Sequence, residues 1–278
     1  MLYLLLFLSI LFAVLNNILY HKLSELGKYD NFFFTAMSSF VWLAVLAPLA
    51  DFGALNKAEL IFGIIYGTVQ AMFLFFKMKA MSTGPVSVTS VVSNCSMVLT
   101  TLMGIIIFSE KVTLLQIAGS ALILLSVFLC VDPKSDMKMT LKWKIYCVFF
   151  FIFAAAVGII FKLFSAYEAS GANMMSVAAI SMVICLSLLS FAIEKKPKPK
   201  RIHILFAVLC GILSCFYNRI NVFLSGARPS VVFFPIFNGS IVLFSSISGA
   251  LIFKEHLSKK QYFGILTGIL AIIILALK

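Results

Sequence analysis

The chain is 278 residues long, 62% hydrophobic and 12% charged, with a mean hydropathy of +1.11 and a formal charge of +12. Such values exclude a soluble globular domain, whose apolar share is roughly 45–50%. The positive charge does not mark a nucleic-acid binder either, because Lys and Arg cluster beside the ends of apolar stretches, where topology signals sit.

A lipid-spanning helix needs roughly 20 mostly apolar residues. Stretches near that length are predicted at 2–20, 31–50, 60–77, 86–108, 112–131, 143–163, 172–193, 203–222, 230–253 and 260–277. The first begins at Met1 with no basic leader and no small-residue cleavage pattern, so a retained helix is expected rather than a signal peptide. On the third, Gln70 and Lys77 are seven residues apart with Phe73 and Leu74 between them, which places all four on one helical face. The fourth starts at Pro85 and carries Asn94. Glu110 then falls in a tight turn, where a carboxylate would cap the following helix.

The run Asp132-Pro133-Lys134-Ser135-Asp136-Met137-Lys138 is polar, contains a helix breaker and marks a linker over 132–142. After the seventh stretch comes Lys195-Lys196-Pro197-Lys198-Pro199-Lys200-Arg201, a solvated connection with the charge to meet anionic headgroups. The eighth presents Ser214, Tyr217, Asn218 and Asn221 as one stripe. In the ninth, Pro235 lies a turn before Asn238, where a kink is expected. All six cysteines fall within or at the edges of apolar stretches and lack metal-ligand spacing, so they read as small buried hydrophobes.

The second half repeats the first. Phe108-Ser109-Glu110-Lys111-Val112-Thr113, with Gln116 and Gly119, recurs as Phe253-Lys254-Glu255-His256-Leu257-Ser258, with Gln261 and Gly264. A shift of 144 places Gly67 on Gly211, Pro85 on Pro229, Val88 on Val232 and Asn94 on Asn238; nearer the start, a shift of 140 places Lys22 on Lys162. Residues 1–131 and 143–278 thus form two five-helix repeats, and an odd number of spans gives them opposite orientation in a bilayer. The expected fold is all-α and integral to the membrane, with ten helices in two inverted repeats.

Polar side chains at membrane depth usually face a cavity or a helix partner. The paired stripes on the third and eighth spans, with Asn94 and Asn238, are therefore the candidate substrate site, while helix-to-helix hydrogen bonding is the alternative for each residue alone. Lys77 could instead snorkel to the interface. All ten acidic residues lie in predicted loops or at span ends. A proton-coupled exporter of cations needs a carboxylate within the membrane, so a neutral, zwitterionic or anionic solute is expected instead. His21, His203 and His256 are dispersed at helix ends, which argues against an integral membrane enzyme. No catalytic residue, metal or cofactor is expected.

The paired Pro-Val-Ser-Val (85–88) and Pro-Ser-Val-Val (229–232) starts, the repeated Phe-x-Glu segments, and Asn17 followed by Lys22 carry a resemblance. In these respects the chain resembles the drug/metabolite transporter superfamily, specifically its ten-helix EamA-like members. Val157 stands where the first half has Asn17, so that polar position is not paired. The resemblance implies a multi-pass transporter of the plasma or inner membrane working by alternating access. The polar residues above make the expected solute a small metabolite, amino acid-like and neutral or anionic. A multidrug or cationic-compound exporter, a membrane enzyme and a non-transporting scaffold are the alternatives. The resemblance also implies cytoplasmic termini. Loop charge implies the opposite, since 16 of the 22 basic residues follow odd-numbered spans. The expected partners are a small-molecule substrate and the lipid bilayer, with no nucleic acid, and a homodimer is left open.

Overall fold

A computed structural model describes residues 2–25, 31–83, 86–130, 140–165, 171–191, 200–252 and 258–276. Their regular structure is helical throughout, as lipid demands of a backbone that can hydrogen-bond only to itself. Ten α-helices occur: α1 (Leu2–Glu25), α2 (Asn31–Leu46), α3 (Lys57–Thr83), α4 (Val86–Phe108), α5 (Leu114–Cys130), α6 (Leu141–Ser165), α7 (Gly171–Phe191), α8 (Arg201–Ala227), α9 (Ser230–Ile252) and α10 (Lys259–Ala276). Among the described residues eight are long and apolar enough to cross a membrane, while α5 has 17 residues. Many large apolar side chains face outward, among them Leu114 at 83% exposure and Leu251 at 76%. That surface suits hydrocarbon and not water.

The repeated turn motif turns out to hold two devices. Thr113 and Gln116 form a reciprocal capping box at the start of α5: Gln116 N–H donates to Thr113 Oγ1 at 3.3 Å, and Thr113 N–H donates to Gln116 Oε1 at 3.0 Å. Ser258 and Gln261 do the same for α10, at 3.3 and 2.8 Å. Glu110 therefore does not cap the helix that follows it, contrary to expectation. Its carboxylate instead accepts from the backbone N–H of Ser230, at the start of α9, at 2.7 Å. The equivalent Glu255 and the helix start at Pro85 lie outside the described residues.

The chain forms two compact units, and neither is a sequence half. The first unit takes residues 1–75 and 163–224, hence α1, α2, most of α3, α7 and most of α8. Glycines set its closest approaches. A Cβ on Gly211 in α8 would lie 2.6 Å from the Ser38 carbonyl oxygen and 2.8 Å from Val41 Cβ in α2. A Cβ on Gly67 in α3 would collide with the Ala178 carbonyl oxygen and lie 2.7 Å from Ser181 Cβ in α7. Gly211 is Gly67 shifted by 144, while Ala178 and Ser181 are Ser38 and Val41 shifted by 140. The same contact is made twice with the repeats exchanged, which is the pseudo-twofold that the sequence predicts. Leu23, Phe34, Ala207 and Cys210 form a buried cluster in this unit.

The second unit takes residues 76–162 and 225–278, hence the end of α3, α4, α5, most of α6, the end of α8, α9 and α10. Here α5 and α10 run antiparallel. Gly119 meets Leu275, Ser126 meets Gly268, and Cys130 meets Gly264. Positions paired by the repeat swap partners across this contact, since Gly119 corresponds to Gly264 and Cys130 to Leu275, each shifted by 145. Small residues let the backbones approach, and Ser126 Oγ donates to the Gly264 carbonyl at 2.7 Å. In the same unit Phe76 stacks on Phe149 and Phe153, with ring centroids 4.9 and 5.5 Å apart. Trp143 Nε1 donates to Thr89 Oγ1 at 3.0 Å.

Pro235 in α9 has no N–H to give the Val231 carbonyl one turn earlier. Ser120 Oγ on α5 supplies that bond at 3.0 Å. The freed carbonyl is satisfied within the protein, so the proline does not open backbone to a cavity.

Candidate substrate site

A buried polar cluster in the first unit joins α1, α3 and α8. Positions 214, 218 and 221 stack on one face of α8, and 9 and 16 on one face of α1. Asn16 Nδ2 donates to Ser214 Oγ at 2.7 Å, and Ser9 Oγ donates to Asn221 Oδ1 at 2.5 Å. Asn218 Nδ2 donates back to the Ser214 carbonyl at 2.8 Å. From α3, the Tyr66 hydroxyl donates to Asn218 Oδ1 at 3.4 Å. Ser9, Asn16, Tyr66, Ser214, Asn218 and Asn221 are all buried. Tyr217, on the adjoining flank of α8, comes close to the side chains of Asn218, Ser214 and Asn16.

Among the described residues of this unit, two side-chain amide oxygens stay open. Asn16 Oδ1 and Gln70 Oε1 are both shielded from solvent and lack a well-formed hydrogen bond. For Asn16 this holds although Tyr217 lies beside it, and hydrogen-bond geometry decides the matter. A buried polar atom without a partner costs about 1–3 kcal/mol. Gln70 sits one turn beyond Tyr66 on α3, so it extends the same face.

Of the sequence-predicted residues, Gln70, Phe73, Leu74, Ser214, Tyr217, Asn218 and Asn221 fall in the first unit; the structure bonds Ser214 and Asn218 with Asn16 and Tyr66, and Asn221 with Ser9. Phe73 and Leu74 are half-buried on α3. Lys77, Asn94 and Asn238 belong to the second unit, and all three are half-buried. Asn238 Nδ2 bonds the Phe234 carbonyl of its own helix at 3.0 Å, beside Pro235, which gives that amide a structural role.

Sequence reasoning missed Ser9, Asn16 and Tyr66. It singled out Asn17, which the structure places on the exposed side of α1, while its neighbour Asn16 turns inward. One signal was available: Ser9 and Asn16 are seven residues apart, as are Gln70 and Lys77. Glu59 is buried, but it closes a capping box with Asn56 at the start of α3 and also accepts from Asn173 Nδ2 at 3.0 Å. Among the described residues no group of three His, Cys, Asp or Glu side chains could hold a metal.

Comparisons with known proteins agree with this architecture. No curated protein matches the chain. A crystal structure superposes on it with a TM-score of 0.79 at 13% identity, covering 97% of this chain and 98% of its own, a likeness that shows the fold. The model of the EamA-like transporter family matches twice, over residues 1–131 and 141–277. The two matches account for nearly the whole sequence, and the second begins at 141, inside the expected 132–142 linker. The protein belongs to the EamA-like transporter family and is a multi-pass membrane transporter of the drug/metabolite type.

Proposed function

We propose that the protein is a secondary transporter of the plasma or inner membrane, and that it moves a small neutral or zwitterionic, amino acid-like metabolite by alternating access. The observation that carries this is the cluster on α1, α3 and α8, built of amides, hydroxyls and phenols with Asn16 Oδ1 and Gln70 Oε1 left open. Two open carbonyl oxygens ask for hydrogen-bond donors, which the hydroxyl or amino hydrogens of a solute supply. Formal charge is absent from the named members, so a lone organic cation would lose its hydration without a counter-ion there. That favours the neutral or zwitterionic solute over a cationic drug. Transport needs only binding and a change of packing, so the chemistry of a membrane enzyme is not required.

The test is a ligand screen by thermal shift on detergent-purified protein, followed by uptake into proteoliposomes. A specific solute raises the melting temperature by mass action. Asn16→Leu and Gln70→Leu then lower its flux at least roughly tenfold, the effect of about 1.4 kcal/mol per lost bond, while insertion is kept. Full flux in both variants would refute the site.

A further inference from the structure

Within the first unit, the direction of each hydrogen bond in the cluster on α1, α3 and α8 tells which groups are already spent. Ser9 Oγ gives its hydrogen to Asn221 Oδ1, and Asn16 Nδ2 gives one to Ser214 Oγ. Asn218 Nδ2 serves the Ser214 carbonyl, and the Tyr66 hydroxyl serves Asn218 Oδ1. Four donors from three helices are thus committed inside the cluster. The two atoms left open on α1 and α3 are of one kind. Asn16 Oδ1 and Gln70 Oε1 are amide oxygens, which accept and never donate.

Among the named members of the cluster none is ionised. Arg219 follows Asn218 but lies about 100° around α8 and is exposed, outside the buried network. Glu59 is the one acidic residue of α3 and sits in its first turn. It precedes Gln70 by 11 residues, on the order of 16 Å along the axis. Asn56 and Asn173 already hold its carboxylate there.

Both features select a solute. Open, buried acceptors match N–H and O–H hydrogens and disfavour the oxygens of a carboxylate or phosphate. A protonated primary amine brings several donors on one atom, and its charge-assisted bonds are stronger than those of a hydroxyl. Away from water that charge needs a counter-ion, and a zwitterion carries its own.

We propose that this cluster is an ammonium subsite: Asn16 Oδ1 and Gln70 Oε1 accept hydrogens from the protonated primary amine of a zwitterionic solute, and these two amides set its preference over a lone amine or a lone acid. The proposal deepens the transport reading and rests on it. A purely anionic metabolite has no such donor and is not taken by the subsite. Exchange of a single group should convert the preference. Asn16→Asp or Gln70→Glu keeps the side-chain shape and supplies the missing counter-ion. The Ser214 hydroxyl can donate as well as accept, so it keeps its bond to position 16.

The experiment uses the full chain purified in detergent at about pH 8, where an introduced carboxylate is ionised. The probes have the skeletons of alanine, leucine and phenylalanine. Each is offered as the amino acid, as the amine without its carboxyl group and as the acid without its amino group, with affinity read from thermal shift. On the skeleton that binds, the amino acid should hold at least roughly tenfold more tightly than the amine. It should hold roughly a hundredfold more tightly than the acid, which leaves both oxygens unmatched. In Asn16→Asp and in Gln70→Glu the amine should gain at least roughly tenfold and overtake the amino acid, while the acid stays weak. An acid that binds within about twofold of its amino acid, or an amine that neither variant improves, overturns the subsite and leaves transport standing. Amines that bind only the variants sink the amino acid-like solute and keep the subsite. Silence of every probe in all three proteins sinks both. The wild-type comparison of amino acid with acid needs no variant, so it decides even where a variant fails to insert.

Discussion

Gly211→Ala isolates the packing of α8 on α2. The added Cβ would lie 2.6 Å from the Ser38 carbonyl oxygen, where ordinary contact begins at 3.4 Å. The obstruction is backbone, so no rotamer change relieves it and the helices must part by about 0.8 Å. One turn away on the same face, Ser38 Oγ donates to the Ala207 carbonyl at 3.0 Å. The same movement stretches that bond beyond useful length. Ser38 keeps its second acceptor, the Phe34 carbonyl at 3.0 Å, so the hydroxyl is not orphaned and the loss is about 0.6 kcal/mol. Overpacking adds about 1–3 kcal/mol. Greater helix propensity of Ala returns about 0.8 kcal/mol. The balance is a destabilisation of about 1–3 kcal/mol, read as a fall in melting temperature of several degrees in detergent. Gly67→Ala, its counterpart against the Ala178 carbonyl, should fall by a similar amount. Gly171→Ala meets nothing within 4 Å and serves as the control. Melting of Gly211→Ala at or above the control would refute the close contact and with it the paired geometry of the first unit.

Two further outcomes test the turn after α4 and the capping boxes. Ser109→Val should destabilise by about 1–2 kcal/mol, because a β-branched residue resists the left-handed φ of 50° that Ser109 adopts, whereas Ser109→Gly should be neutral or stabilising in the same melts. Gln116→Ala and Gln261→Ala each lose a capping bond worth about 1 kcal/mol, but Gln261 should cost more. Its Nε2 also donates to the Cys130 carbonyl at 3.2 Å, tying α10 to the end of α5, so hydrogen exchange at the end of α5 should accelerate in that variant only.

Much of the fold was legible because lipid leaves few choices. Apolar length alone located ten helices, and the repeat aligned Gly67 with Gly211, whose exchanged contacts only the structure shows. What escaped was azimuth. Asn16 and Asn17 differ by roughly 100° around α1, and that helix is apolar on nearly every side, so no stripe says which amide turns inward. Tyr66 was hidden for a related reason: an aromatic at the bilayer level is unremarkable until a partner such as Asn218 is seen. The role of Glu110 was misassigned because the Thr113–Gln116 box already serves α5, leaving the carboxylate for an N–H 120 residues away. Sequence spacing could suggest a local cap, not that distant one.

The interleaving of the two units constrains how the protein is made. The first unit is not complete until α8 has left the ribosome, because α1, α2 and α3 await α7 and α8. Meanwhile α4 and α5 reach the bilayer before α6, α9 and α10 exist, with Gly119 facing a partner, Leu275, near the end of α10. Early segments must therefore wait in lipid with their small-residue faces uncovered, and assembly is a late, concerted docking instead of a half-by-half build.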